Sequence, residues 1–224
     1  MQQSDFAAIV PVLIVTLSGC AVMLAEAFRR KHEEMPLGWL GVIGLVGAAV
    51  SSILMWNRHY VGFGVVAADN YALFFNVTIC LIGLLTILLS MGSAERDQLP
   101  VGEYYTLMLF AIAGMMLMGA AKDLLIVFLA LEIMSLGVYV MTGLRRQSED
   151  GAEAAFKYFV LGAFSSAFFL YGIAFTYGLT GSTRLDRIGT VMAAQGMAPA
   201  PLLLVAMGLL LVGFAFKVAA VPFH

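Results

Sequence analysis

Glu132 lies in LLIVFLALEIMSLGVYVMTGL and is the one charged residue between Asp123 and Arg145. Read as a helix, that run places the carboxyl about 15 Å deep, near the middle of a bilayer, where an acidic side chain costs roughly 2.5–3.5 kcal/mol on insertion scales. A residue kept there at such a cost needs a partner or a proton. Ser135 and Tyr139, one and two helical turns on, share its face and offer it hydroxyls, so the face turns toward protein or water and away from lipid. The plainer alternative is a neutral glutamic acid packed between helices, because burial favours the uncharged form. Glutamine would fill that role without titrating.

Lys217 is the second anomaly. It stands roughly 17 residues into the last apolar run, some 20–25 Å along a helix and too deep to reach back to that helix's start. Two readings stay open: an ammonium reaching the far interface from the helix end, or a titratable group in a proton path. Pro222 weighs toward the second. Its ring removes an N–H and clashes with the carbonyl of Val218, which predicts a break within a turn of Lys217, where freed backbone groups are tolerated only if protein or water satisfies them. Broken helices beside titratable groups mark ion pathways in transporters. Lys157, about one turn into the preceding run, either snorkels to the interface or forms the inner end of a row with Lys217 and Glu132. Ser135 and His224 are candidate relay groups beside that row.

The scaffold for these side chains must cross a membrane. With 62% hydrophobic and 12% charged residues in 224, the composition excludes a soluble domain and a disordered chain alike. A net charge of −2 with no basic block excludes binding to nucleic-acid backbones. Runs long enough for a roughly 30 Å hydrocarbon layer fall at about 6–28, 37–56, 70–91, 104–121, 123–144, 154–180 and from 200 onward. The expected fold is all-α: a polytopic transmembrane helix bundle of about seven spans, the last one broken and incomplete. The first run lacks a positive leading region and is followed by Arg29, Arg30 and Lys31, so it reads as a retained span and not a cleaved signal. Connecting segments are short, which puts function within the bilayer.

Other chemistry finds no support. Cys20 and Cys80 sit in apolar runs without metal or redox spacing and read as packing residues. His32, His59 and His224 are scattered, none placed to pair on one helical face. Met115, Met116 and Met118 read as apolar filler. Glu26, Lys122 and Asp123, at span ends, read as interfacial. Gly38, Gly41, Gly44 and Gly47 recur every three residues, a spacing that winds about 60° per step into a spiral of close helix contacts. Arg29, Arg30, Lys31, Arg96, Arg145 and Arg146 would share one side of the membrane against Arg58, Lys122, Arg184 and Arg187 on the other, a bias that predicts an external N-terminus.

From Tyr104 onward the chain resembles a known family. GMMLMGAAKDLLIVFLALEIMSLGVYVMTGL, then EAAFKYFVLGAFSSAFFLYGIAFTYGLTGST, then FAFKVAAVPFH are similar to the subunit N family of bacterial proton-pumping NADH-quinone oxidoreductase, respiratory complex I. The first three spans match more loosely, by hydropathy and order. The resemblance implies a proton-translocating, antiporter-like membrane subunit in which Glu132, Lys217 and Lys157 carry protons, located in the bacterial inner membrane beside the other membrane subunits of the complex. It implies no cofactor in this chain, since flavin, iron–sulfur clusters and the quinone site belong to partner subunits. No GxGxxG follows a strand and no soluble domain exists, so no NADH site is expected. The family carries roughly twice as many spans in two inverted repeats. Residues 1–224 then read as a single membrane domain, 1–100 as N-terminal helices and 101–224 as an incomplete first antiporter-like repeat, and the sequence as an N-terminal portion of a longer protein.

An ion pair at about 4 Å in an effective dielectric near 20 is worth roughly 4 kcal/mol, enough to decide whether a desolvated lysine keeps its proton. Parting Glu132 from Lys217 would release a proton, and closing the pair would take one up. Two alternatives remain: a subunit of a multisubunit cation/proton antiporter, whose relatives share the glutamate and lysine, and a non-conducting structural membrane subunit.

Overall fold

The computed structural model describes residues 6–29, 37–96, 99–145, 147–194 and 201–221. Its helices are α1 (Val10–Phe28), α2 (Leu37–Leu54), α3 (Asn70–Arg96), α4 (Val101–Ala120), α5 (Leu124–Thr142), α6 (Glu149–Thr180), α7 (Leu185–Ala194) and α8 (Pro201–Lys217). Strands β1 (Tyr60–Gly62) and β2 (Val66–Ala68) form an antiparallel hairpin between α2 and α3. Six of the helices, α1 to α6, are long and apolar enough to span a bilayer, and α8, the expected seventh, has 17 residues and ends at Lys217. Large apolar side chains such as Leu17, Leu89 and Leu211 point outward, as lipid-facing residues do. The hairpin and α7 fall in segments expected to be plain connections; Tyr-Val-Gly-Phe-Gly-Val-Val is a short β-rich run of the kind that pairs around glycine turns.

Two helix groups make up the molecule. The first, α1 to α4, closes around Val15, Leu45, Ile87, Tyr105, Leu109 and Met116. The glycines of α2 form the expected spiral: Gly38 and Gly41 meet side chains of α3 and α4, whereas Gly44 and Gly47 meet Ser18 and Ile14 of α1. Cys80 lies against Met116 at 3.8 Å, a packing contact. The second group, α5, α6 and α8, packs around Leu131, Phe169 and Ile173. Joining them is the α4–α5 interface, where backbones nearly touch: a Cβ on Gly114 would lie 2.7 Å from the Met134 nitrogen, and one on Gly137 2.9 Å from the Leu107 carbonyl oxygen. α5 is thereby fixed to the first group while it presents its other face to α6 and α8.

At one end the connections are stitched together. Lys122 N donates to Val65 O at 2.8 Å, Leu124 N to Thr183 O at 2.9 Å and Leu185 N to Lys122 O at 3.0 Å, so the hairpin, the α4–α5 link and the segment before α7 form one lid. Asp123, buried, is the N-cap of α5: its carboxylate accepts from Leu125 N at 2.9 Å and from Thr183 Oγ1 at 2.6 Å. Asp186 on this lid is held below the usual carboxylate range by its hydrogen bonds from the Arg184 guanidinium. At the opposite end Ser148 caps α6, accepting from Gly151 N at 3.0 Å, with Glu149 and Asp150 in the first turn where the helix dipole favours negative charge.

Candidate functional site

The polar residues of α5 meet two other helices inside the second group. Lys217, the last residue of α8, donates from Nζ to Ser135 Oγ at 2.6 Å and to the Tyr139 hydroxyl at 2.9 Å. Ser135 donates its own proton to the Leu131 carbonyl at 2.5 Å, which leaves an oxygen lone pair for the ammonium. Glu132, one turn earlier on α5, accepts from Ser166 of α6 at 2.5 Å. Both ionisable residues are half-buried, whereas Ser135, Tyr139 and Ser166 are buried. Among the described residues neither Glu132 nor Lys217 enters an ion pair. Glu132 and the Ser135 that receives Lys217 thus stand on neighbouring turns of α5, and each ionisable group ends on hydroxyls.

An aromatic collar fixes the lysine end. The Tyr139 ring packs edge-on against Tyr158 with centroids 4.6 Å apart and against Phe159 at 6.1 Å, and Lys217 Nζ stands 5.4 Å from the Tyr139 centroid. Deeper in the group, Phe214 of α8 meets Phe169 of α6 at 4.7 Å, which keys the two helices together. Gly213 packs its bare Cα on Phe169, and Ser165 donates to the Gly213 carbonyl at 3.4 Å.

α8 stops where the sequence expects a break. Ala219 adopts the left-handed conformation with φ 51°, Ala220 N donates to Ala215 O at 2.8 Å and Ala219 N to Phe216 O at 3.1 Å, the closure known as a Schellman motif. The carbonyls of Ala215 and Phe216 are therefore satisfied by the chain itself and do not need water. Pro222 and His224 lie outside the described residues.

Ser135, one turn from Glu132 on α5, is brought onto Lys217 of α8, and the partners differ from those expected. Ser135 and Tyr139 were expected to bond Glu132; they bond Lys217 instead, and Ser166 takes Glu132. Lys157 is not part of this cluster. It pairs with Glu153 one turn away on α6 at 2.5 Å, with both side chains more than half exposed, 67% and 62%. Ser166 went unread in the sequence although Ser165–Ser166 is a polar pair inside an apolar helix, a signal of the same kind as Glu132.

Residues 121–224 match the family model described as NADH:quinone oxidoreductase/Mrp antiporter, TM. NADH-quinone oxidoreductase subunit N of Trichlorobacter lovleyi is 42% identical over 217 residues, 96% of this chain and 45% of that protein. Over the residues matched, the chain is similar to this antiporter-like subunit family. Among solved structures, a chain of respiratory complex I from Thermus thermophilus is similar at 34% identity with a TM-score of 0.75, covering 96% of this chain and 45% of that one. A chain of the Mrp complex from Dietzia sp. DQ12-45-1b shares the fold, with a TM-score of 0.69 at 20% identity over 100% of this chain and 42% of that one. The chain spans about half the length of the family members it matches, 45% and 46% for two of them. The family model begins at Ala121, so its residues hold the whole hydroxyl-linked cluster of α5, α6 and α8, while the looser helices α1 to α3 lie before it.

Proposed function

We propose that the protein is a proton-translocating membrane subunit of a bacterial NADH-quinone oxidoreductase, moving protons through Glu132 and Lys217 while quinone reduction proceeds in partner subunits. The observation that carries this reading is an acid and a base of the apolar helices that each end on hydroxyls and not on each other, Lys217 on Ser135 and Tyr139 and Glu132 on Ser166. An acid and a base in contact at about 4 Å attract by about 4 kcal/mol at an effective dielectric near 20, and an unpaired acid and base stand to gain only a part of this on closing. A conformational change that opens and closes the pair can therefore take up and release a proton. Ser135 lies between the two, able to accept from Lys217 and one turn from Glu132. Lys157, on the exposed face of α6, is proposed as a transfer group toward a neighbouring helix and not as a member of the Glu132 pair.

Flavin, iron–sulfur clusters and quinone belong to partner subunits in this reading, and the protein resides in the inner membrane among other membrane subunits of the complex. The N-terminus is external, on the six-to-four count of basic residues read from the sequence. Arg58, Lys122 and Arg184 lie in segments at the stitched end, which supports their common side. A subunit of a cation/proton antiporter is the competing reading, favoured by the fold shared with the Mrp complex chain. Purification of the affinity-tagged, full-length protein from its own membranes separates the two. Co-elution of flavin and iron–sulfur absorbance with NADH-dependent quinone reduction is expected; their absence from a stable multisubunit complex would favour the antiporter.

A further inference from the structure

The seat of the Tyr139 hydroxyl is a glycine. Gly162 of α6 is buried, and a Cβ placed on it would fall within bonding distance of the Tyr139 hydroxyl oxygen and 3.1 Å from Tyr139 Cε1. No flexible side-chain end is available to yield there: the obstructing group is a rigid phenol held edge-on by Tyr158 and anchored through its hydroxyl to Lys217. Ser166, one turn along the same face of α6, bonds Glu132. One face of α6 therefore sets both ends of the cluster, by a hydroxyl at Ser166 and by the lack of a side chain at Gly162. Elsewhere on α6 the same addition costs nothing, since a Cβ on Gly178 would meet no atom within 4 Å.

We propose that Gly162 is a positioning residue for proton transfer: its bare Cα seats the Tyr139 hydroxyl against the Lys217 ammonium, and this contact holds Lys217 on the Tyr139–Ser135 side of the cluster, away from Glu132. The inference rests on the proposed role of Glu132 and Lys217 in proton movement. Any side chain at 162 displaces the phenol, and the ammonium loses one of its two acceptors. Ser135 alone then holds it, one turn from the carboxylate, and the pair closes more readily than it opens.

The test is a double-mutant comparison in the full-length protein within its native membranes, reading NADH-driven quenching of a pH-sensitive dye. The content of assembled complex is normalised through NADH oxidation by an artificial electron acceptor. Gly162→Ala is expected to lower the quenching rate by about tenfold or more, since displacing a reacting group by about an ångström can cost on the order of 100-fold. In a Tyr139→Ala background, where neither the hydroxyl nor the ring carbons that a Cβ at 162 would strike remain, Gly162→Ala should cost less than about twofold further, because coupled positions are non-additive. Gly178→Ala should quench as wild type. An equal fold loss from Gly162→Ala in both backgrounds would mean that Gly162 serves only helix packing and would overturn the proposal. If Gly162→Ala does not assemble, Tyr139→Phe decides alone: wild-type quenching by that variant overturns the proposal, and a loss of several-fold at normal complex content upholds it. A Glu132→Ala control that quenches normally would show instead that the underlying proton-transfer reading is at fault.

Discussion

Ser135 receives the Lys217 ammonium at 2.6 Å while standing one helical turn from Glu132. A closed ion pair would hold the lysine cationic and the carboxylate anionic; hydroxyl partners, Ser135 on Lys217 and Ser166 on Glu132, leave each group free for a change of partner. Conformational steps of an ångström or two, small against the 5.4 Å pitch of a helix, then decide which contact is made.

Glu132→Ala should remove most of the proton pumping without dissociating the subunit, because the α5–α6 contact it gives up is a single hydrogen bond beside the apolar packing around Leu131, Phe169 and Ile173. Glu132→Asp, one methylene shorter, should keep part of it. Ser166 would lose its acceptor in the alanine variant, a cost of about 1–3 kcal/mol that assembly should withstand. Dye quenching by Glu132→Ala vesicles equal to wild type would remove Glu132 from the proton path.

Lys217→Arg separates a relay from an anchor. Guanidinium stays protonated at any accessible pH, so a relay lysine replaced by arginine assembles and pumps poorly. A lysine that merely reaches the interface is replaced by arginine without loss. Arginine is also bulkier and planar where Ser135 and Tyr139 converge on a single nitrogen. Normal quenching at wild-type oxidase rates would show that the ammonium never gives up its proton.

Asp123→Ala should act on stability and not on the chemistry. The carboxylate caps α5 and binds Thr183 across the lid, so its loss costs about 1–2 kcal/mol at the cap and leaves the Thr183 hydroxyl without its acceptor. Less assembled complex is expected in membranes, with quenching per assembled complex unchanged. Asp123→Asn keeps an acceptor at the cap and should restore most of the yield.

Hydropathy made the helices legible, since each apolar run of the sequence corresponds to one of α1 to α6 or to α8, and the cost of burying charge pointed to Glu132 and Lys217. Partner assignment was not legible. Sequence spacing places Ser135 and Tyr139 on the Glu132 face, but which ionisable group they bond depends on where α8 crosses, and that crossing is set by Gly172, Gly213 and Phe169 at the α6–α8 contact. The sequence leaves Lys157 two places because one turn into a helix is deep or shallow according to where the helix starts. Ser148 and the acidic first turn start α6 at Glu149, which leaves Lys157 in its third turn on an exposed face with Glu153 beside it. The hairpin was missed because its strands have three residues each, too few for alternation to register.

Topology is testable by single cysteines at described, exposed positions. His59→Cys, beside the hairpin, is expected to react with a membrane-impermeant thiol reagent on intact cells, whereas Gln147→Cys, in the loop before α6, should react only after the membrane is opened. The opposite pattern would invert the orientation drawn from the basic residues. Cys80 is buried and Cys20 half-buried within helices, so the background from native thiols should be low.

Ala219 occupies a left-handed conformation that costs a non-glycine residue roughly 1–2 kcal/mol, and its closure bonds to Phe216 and Ala215 end the helix just past Lys217. Glycine adopts that conformation freely, so Ala219→Gly should preserve pumping and raise the thermal stability of the complex slightly. Valine, branched at Cβ, resists it most, so Ala219→Val should let the last turn unwind or extend and carry Lys217 off Ser135, lowering quenching several-fold at normal complex content. The closure bonds join residues from Ala215 to Ala220, so Pro222→Ala should cost less than Ala219→Val. If instead Pro222→Ala abolishes pumping while Ala219→Val pumps as wild type, the proline and not the left-handed alanine terminates the helix in the working protein, and the placement of Lys217 would have to be traced to the residues beyond Val221.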